Sequence, residues 1–123
     1  MTDENGHKCW WDEELGIARG MAYGELTLDT AIGIQRDVDM IIKDHGEGNV
    51  WLIDLNNMKK ATSQARKKIS ELSSDPRVGK YAFVGASMFV RTIFNFMMAA
   101  ARKSNVKHFS NEEEALRWLN VSD

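Results

Sequence analysis

The stretch Gly48–Ser87 reads GNVWLIDLNNMKKATSQARKKISELSSDPRVGKYAFVGAS, and it contains the strongest indication of the fold. Residues 50–55 form a short apolar run, and residues 80–85 form a second one that ends in glycine. Between the two runs, apolar side chains recur at helical spacing, namely Ala61, Ala65, Ile69 and Leu72. A strand, a helix and a strand in this order predict a parallel βαβ unit.

The segments on either side extend this pattern. Residues 7–11 and 15–23, separated by an acidic turn, predict an N-terminal β-hairpin, and residues 27–44 predict the first helix. A helix at 62–73 would be capped by Thr62 or Ser63, and a further helix would cover 88–102. A strand at 106–109 and a helix opened by a capping box of Ser110 and Glu113 complete the chain. The predicted fold class is α/β, a mixed sheet of about five strands covered by four helices in the order ββαβαβαβα.

The composition predicts a single domain over residues 1–123, with residues 1–6 as a disordered tail. The formal net charge of −2 argues against general affinity for nucleic acids. Cys9 is the one cysteine, which excludes an internal disulfide and fits a reducing compartment. The polar N-terminus has no signal-peptide core, and the apolar segment 88–101 is too short to span a bilayer. These features predict a cytoplasmic protein.

No pattern in the sequence indicates catalysis or metal binding. The three histidines, His7, His45 and His108, show no metal-ligand spacing with one another or with Cys9. The glycine turn at 85–87 lacks the lysine of a phosphate-binding loop, and no GxSxG nucleophile elbow occurs. The sequence therefore predicts a protein that is not an enzyme and that needs no metal or cofactor.

Polar and basic side chains collect at one edge of the predicted sheet. Ligands and partners of parallel sheets bind where strands end and the following helices begin. That edge holds Asp54, Asn56, Asn57, Thr62, Ser63, Arg66, Ser87 and Arg91. Further basic residues lie close by in the chain, namely Lys59, Lys60, Lys67 and Lys68. The edge is either a set of capping residues beside a solvated basic face or a docking surface for an anionic group or acidic partner.

The predicted helix MFVRTIFNFMMAAAR, residues 88–102, is apolar over a wide arc. Packing against the sheet accounts for one face, which carries Val90, Phe94, Met97 and Ala101. A second apolar face carries Phe89, Ile93, Phe96 and Ala100. This second face is predicted to be further core, a homodimer contact, or a site for an apolar ligand such as an acyl chain.

Four short motifs carry a family resemblance: LIDL at 52–55, SDPRVGK at 74–80, GAS at 85–87 and EEEALRWL at 112–119. With the segments between them they resemble the SpoIIAA-like family of STAS/SEC14-type domain proteins, over residues 15–119. The resemblance implies the fold of the anti-sigma-factor antagonists and of the SEC14 lipid-binding lobe. It also implies a non-catalytic role in which the domain binds protein partners.

In the antagonists, a serine at the start of the helix after the central strand is phosphorylated. The resemblance places that phosphoacceptor at Thr62 or Ser63. The chain departs from the Asp-Ser-Ser/Thr-Gly box of the antagonists, because it reads KATSQ at 60–64, and this argues against the same kinase recognition.

Two functions fit these observations. The first is that of a non-enzymatic, STAS-like protein-interaction or regulatory domain that binds a protein partner, a second copy of itself, or both. The alternative is a SEC14-like binder of a small apolar or lipid-like ligand.

Overall fold

A computed structural model describes residues 6–85, 87–88, 91–92, 95 and 105–120. Within these residues the elements follow the chain as β1 (Gly6–Asp12), β2 (Ile17–Leu26), α1 (Leu28–His45), β3 (Val50–Asp54), β4 (Met58–Ala61), α2 (Ser63–Ser73), β5 (Lys80–Val84), β6 (Val106–Phe109) and α3 (Glu112–Leu119). Of the predicted helix at 88–102, the structure describes Met88, Arg91, Thr92 and Asn95, which are all helical.

The strands form one mixed sheet in the order β1-β2-β3-β5-β6, and the α/β class is confirmed. β1 and β2 pair antiparallel from Gly6 opposite Tyr23 to Asp12 opposite Ile17, so the predicted hairpin is correct. β2, β3, β5 and β6 are parallel neighbours, as helical crossovers require. The sheet therefore has its parallel half where the βαβ pattern predicted it.

A sixth strand, β4, is a correction to the predicted count of about five. It pairs in parallel with the end of β2, after a register shift between Gly24 and Glu25. Only four residues long and half lysine, β4 lacks the apolar run that marks a buried strand. Its pairing comes from the tertiary position of β2, which extends past the predicted end at Tyr23 to Leu26.

The helix caps follow the sequence at two of three places. Thr27 caps α1 and Thr62 caps α2, each accepting a hydrogen bond from a backbone N–H three residues on. The predicted cap of the last helix, Ser110, is wrong by one residue. Asn111 caps α3 instead, and its side-chain oxygen accepts from the N–H of Glu114 at 2.9 Å. Asparagine and serine cap helices about equally well, so the sequence did not decide between Ser110 and Asn111.

Helices cover both faces of the sheet. On one face, Trp51, Tyr81 and Phe83 pack in a cluster with residues of α1 and α2, including Val38 and Ile69. On the other face, a smaller cluster joins the sheet to α3 and contains Ile17, Leu52, Ala82, Val84, Ala115 and Leu119. Residues of one strand alternate between the two clusters, as Trp51 and Leu52 do, because successive side chains point to opposite faces. We refer below to the α1–α2 face and the α3 face.

Candidate functional site

The end of β3 and the turn that follows it hold three residues of the predicted polar edge. One Asp54 carboxylate oxygen accepts hydrogen bonds from the backbone N–H and the side-chain amide of Asn56, at 2.8 and 3.0 Å. The carbonyl of Asn57 accepts from the N–H of Gly24 at 2.9 Å, which ties the turn to β2. Asp54 and Asn57 thus build the turn, and Asn56 and Asn57 are exposed on it.

The start of α2 stands next to this turn. Thr62 Oγ1 accepts from the N–H of Ala65 at 3.1 Å, and the Thr62 N–H donates to the Leu26 carbonyl at 3.0 Å. The Thr62 hydroxyl is therefore occupied as a cap, whereas Ser63 is exposed at the first helical position. Of the two predicted phosphoacceptors, Ser63 is the more exposed one.

Five basic residues lie in the chain on either side of the start of α2: Lys59, Lys60, Arg66, Lys67 and Lys68. Lys60 lies 3.3 Å from a Glu25 carboxylate oxygen, and Lys68 lies 3.9 Å from Glu71. In the part of the chain that the structure describes, Lys59, Arg66 and Lys67 have no carboxylate within 4.0 Å. We call these five residues the basic face.

Ser87 and Arg91 follow β5, which lies beside β3 in the sheet. The N–H of Leu55, just after β3, donates to the Val84 carbonyl at the end of β5 at 2.7 Å. The Ser87 carbonyl accepts from the N–H of Arg91 at 3.1 Å, and both residues are exposed. The edge is therefore continuous from the β3–β4 turn to the chain after β5.

The predicted dimer or apolar-ligand face is carried by Phe89, Ile93, Phe96 and Ala100. These four residues lie outside the residues that the structure describes.

A cleft of about 320 Å³ opens on the α3 face beside the polar edge. Asp54 and Asn56 line it together with Trp10, Arg19 and Glu112. Sequence reasoning missed the last three, because the hairpin and the final helix are remote from the βαβ unit in the chain. The alternation of apolar residues along β2 could have flagged Arg19 as a charge on a sheet face.

Arg19 is held inside this cleft by two carboxylates. Its Nε donates to an Asp12 carboxylate oxygen at 2.8 Å, and its Nη1 donates to the Glu112 carboxylate. The pKa of Asp12 is lowered, first by the hydrogen bond from the Leu15 N–H and further by Arg19. The positive charge of Arg19 is balanced by these two carboxylates, so Arg19 offers no free charge to an anionic ligand in the cleft.

A second cavity, of about 50 Å³, lies between the sheet and the α1–α2 pair. Its walls are almost entirely apolar, and Arg66 is the one charged residue that lines it. Sequence reasoning missed this cavity as well. Its signal is the pair Gly20 and Ala22 on β2, small residues whose positions on the α1–α2 face leave space that a larger side chain would fill.

Two titratable groups near the core, Cys9 and Tyr81, have raised pKa values. Burial, with the Asp37 carboxylate nearby, raises the pKa of the Cys9 thiol to about 12, so the sulfur stays protonated and unreactive at neutral pH. Burial likewise raises the pKa of the Tyr81 hydroxyl. No group of three or more metal-ligating side chains occurs among the residues with described positions.

The histidines have structural contacts. His7 Nε2 lies 2.8 Å from an Asp37 carboxylate oxygen on α1, which ties the start of β1 to that helix. The His45 ring stacks on Trp11 with centroids 4.0 Å apart, and His108 Nε2 lies 2.7 Å from the Gly85 carbonyl. Each ring thus joins segments that are distant in the chain.

Over the described ranges, no helix has the length and apolar character needed to cross a bilayer.

None of the curated proteins compared with the chain matches it. A solved structure of an uncharacterized protein from Shewanella loihica PV-4 with a SpoIIAA-like fold superposes with a TM-score of 0.71. That structure is 15% identical in sequence, and the match covers 97% of this chain and 98% of the other. Residues 21–120 match the SpoIIAA-like family. The chain therefore belongs to the SpoIIAA-like family.

Proposed function

We propose that this chain is a non-enzymatic, regulatory protein-interaction domain, and that it docks an acidic partner segment on the basic face around the start of α2. The observation that carries this proposal is the charge at that helix terminus. The first turn of α2 contains no acidic residue. The first turn of α1 contains Asp29, and that of α3 contains Glu112, Glu113 and Glu114.

An acidic partner suits this surface for two physical reasons. The free N–H groups and the dipole at a helix N-terminus attract negative charge, and α2 supplies no carboxylate of its own there to neutralise them. Lys59 and Lys67 are exposed beside it without a carboxylate within 4.0 Å in the described residues. A chain with an overall charge of −2 thus presents a local positive field that would orient an acidic segment.

Phosphorylation at Ser63 would regulate such docking. A phosphate adds a charge of about −1.5 to −2 at pH 7, and the start of a helix favours it. It would occupy the same N–H groups and lysines that an acidic partner needs. A modified Ser63 is therefore expected to close the docking surface, while Thr62 keeps its capping role.

The lack of enzymatic activity is part of the same proposal. Two features support it: burial raises the pKa of the Cys9 thiol, and Arg19 in the α3-face cleft is already paired with two carboxylates. Three further predictions from the sequence are untested. They are the cytoplasmic location, the homodimer, and the lipid-like ligand at the second face of the helix 88–102.

Site-specific photo-cross-linking in the native host tests the docking surface. A photoreactive amino acid is placed at Ser63, and in a matched control at Arg36, which is exposed on α1. We expect a discrete adduct from position 63 alone, and mass spectrometry should place the cross-link in an acidic segment. Absence of an adduct at position 63, or equal capture from position 36, would contradict the proposal.

A further inference from the structure

The cavity between the sheet and the two helices shares one residue, Arg66, with the basic face, and its other lining residues lie outside that face. Its floor includes Ile53 and Phe83 of the sheet, and its walls include Val38 of α1 and Ile69 of α2. Its volume of about 50 Å³ exceeds the roughly 10–15 Å³ that one water molecule needs. Well-packed interiors contain few such voids, so one that lies beside a cation is a candidate binding site.

The polar groups in the walls are already satisfied. Ser73 Oγ donates to the Ile69 carbonyl at 2.9 Å, and the Tyr81 hydroxyl donates to the Leu72 carbonyl at 3.3 Å. Cys9 contributes a neutral thiol. The interior therefore offers apolar contact and would exclude a ligand group that needs hydrogen bonds deep in the cavity.

Arg66 contributes one positive charge to the lining of the cavity. It lies one turn into α2, is partly buried, and is the single charged residue among the lining residues. No carboxylate lies within 4.0 Å of its guanidinium in the ranges that the structure describes. A partly buried arginine of this kind suits a bidentate bond to a carboxylate better than a solvated lysine would.

We propose that this cavity binds a compact aliphatic carboxylate, with its hydrocarbon part inside and its carboxylate on Arg66. The volume sets the size of the ligand. An apolar cavity of about 150 Å³ admits benzene, so a cavity about a third as large admits a tail of a few carbon atoms and excludes a long acyl chain. The ligand class is thus a short-chain carboxylic acid.

Ligand binding in the cavity goes beyond the proposed docking function and can fail independently of it. The docking test changes Lys59 and Lys67 of the basic face, which do not line the cavity, and leaves the shared residue Arg66 in place. Ligand binding depends on Arg66 and on the apolar walls.

Titration with sodium butyrate, followed by methyl chemical shifts in NMR, tests the proposal. We expect saturable shifts at lining methyl groups such as those of Ile69, with a dissociation constant on the order of 1 mM. n-Butanol has a similar apolar tail without the charge and should bind about tenfold more weakly or worse, because its hydroxyl cannot form the bidentate, charge-assisted pair with Arg66. Dodecanoate, whose tail exceeds the cavity, should not displace butyrate.

Variants distinguish the contribution of the Arg66 charge to binding from that of the cavity volume. Arg66→Gln should weaken butyrate about tenfold and leave n-butanol unchanged, whereas Arg36→Gln on the exposed side of α1 should leave both unchanged. Ala61→Leu should block both ligands by filling the cavity. If Ala61→Leu does not fold, Val38→Ile adds a single methyl group to the wall and should weaken both ligands.

Three results would overturn the proposal. One is the absence of saturable shifts at the lining methyl groups with butyrate. Another is butyrate affinity in Arg66→Gln equal to that of the wild type. The third is dodecanoate binding more tightly than butyrate in the same place.

Discussion

Trp51 stabilises the fold through burial of its ring and destabilises it through a buried N–H that lacks a hydrogen-bond partner in the part of the chain that the structure describes. It is 1% exposed, between Ala18 and Tyr81 on neighbouring strands, and packs in the larger core cluster. Its indole N–H has no hydrogen-bond acceptor among the described residues. A buried donor without a partner costs about 1–3 kcal/mol, which offsets part of what the ring contributes by burial.

This balance predicts different effects for two substitutions. Trp51→Ala should lower the free energy of unfolding by about 3–5 kcal/mol because it opens a large cavity. Trp51→Phe should cost less than about 1.5 kcal/mol, because the loss of ring contacts is offset by removal of the unpaired N–H. Urea unfolding measures both. A cost for Trp51→Phe close to that of Trp51→Ala would show that the N–H has a partner.

Arg77 is another residue whose ion pairs the sequence did not reveal. It lies in the segment between α2 and β5, where it bridges two carboxylates. Its Nη2 lies 2.7 Å from Asp75 in the turn and 2.7 Å from Asp39 on α1. The hydrogen bonds from Arg77 lower the pKa of Asp75.

The lowered pKa predicts a pH dependence of stability. Because the pKa of Asp75 is lower in the folded chain than in the unfolded one, its contribution is complete above the unfolded value of about 3.9 and is lost as the pH falls through the folded value. Asp75→Asn should therefore destabilise the protein at pH 7, and its difference from the wild type should shrink at pH 3. Urea unfolding at both values measures this, with Glu47→Gln as the exposed control. An equal difference at pH 7 and pH 3 would refute the role of the ion pair.

Among the helices and strands, the spacing of apolar residues predicted the elements whose apolar side chains pack in the core. The helix of residues 62–73 and the strand of residues 80–85 were readable because Ala65, Ile69 and Leu72 face the core and β5 is largely apolar. β4 could not be predicted, because lysine is uncommon in strands and half of its residues are lysines. Its pairing also depends on how far its partner strand β2 extends. The last helix begins one residue later than predicted because Ser110 and Asn111 are both good caps and only the local backbone chooses between them.

The cap of α2 gives a prediction for that helix. Thr62→Ala removes the acceptor for the Ala65 N–H and should cost about 0.5–2 kcal/mol of the free energy of unfolding. Ser63→Ala, at an exposed first helical position, should change stability by less than about 0.5 kcal/mol. Thermal and urea unfolding of the two variants decide between the roles. Equal costs, or a larger cost for Ser63→Ala, would contradict the assignment of Thr62 as the cap.

The topology of the complete sheet determines which parts of the site could be predicted. Because strand ends and helix starts share an edge, the order of elements alone places Asp54, Asn56 and Ser63 on one side of the sheet. The two cavities could not be predicted in this way, because each depends on elements distant in sequence. Arg19 meets Glu112 across 93 residues, and the apolar cavity closes only where α1 and α2 pack together.

Docking of an acidic segment on the basic face is tested most directly by the affinity of the cross-linked partner. Isothermal titration compares the wild type with Lys59→Glu/Lys67→Glu, and with Arg36→Glu/Lys43→Glu, which reverses the same charge on exposed positions of α1. We predict a loss of affinity of about tenfold or more for the first double variant, with unchanged circular dichroism, because like charges would then meet across the contact. The second double variant should bind within about twofold of the wild type. Equal affinities for the two double variants would contradict an acidic partner docked on the basic face.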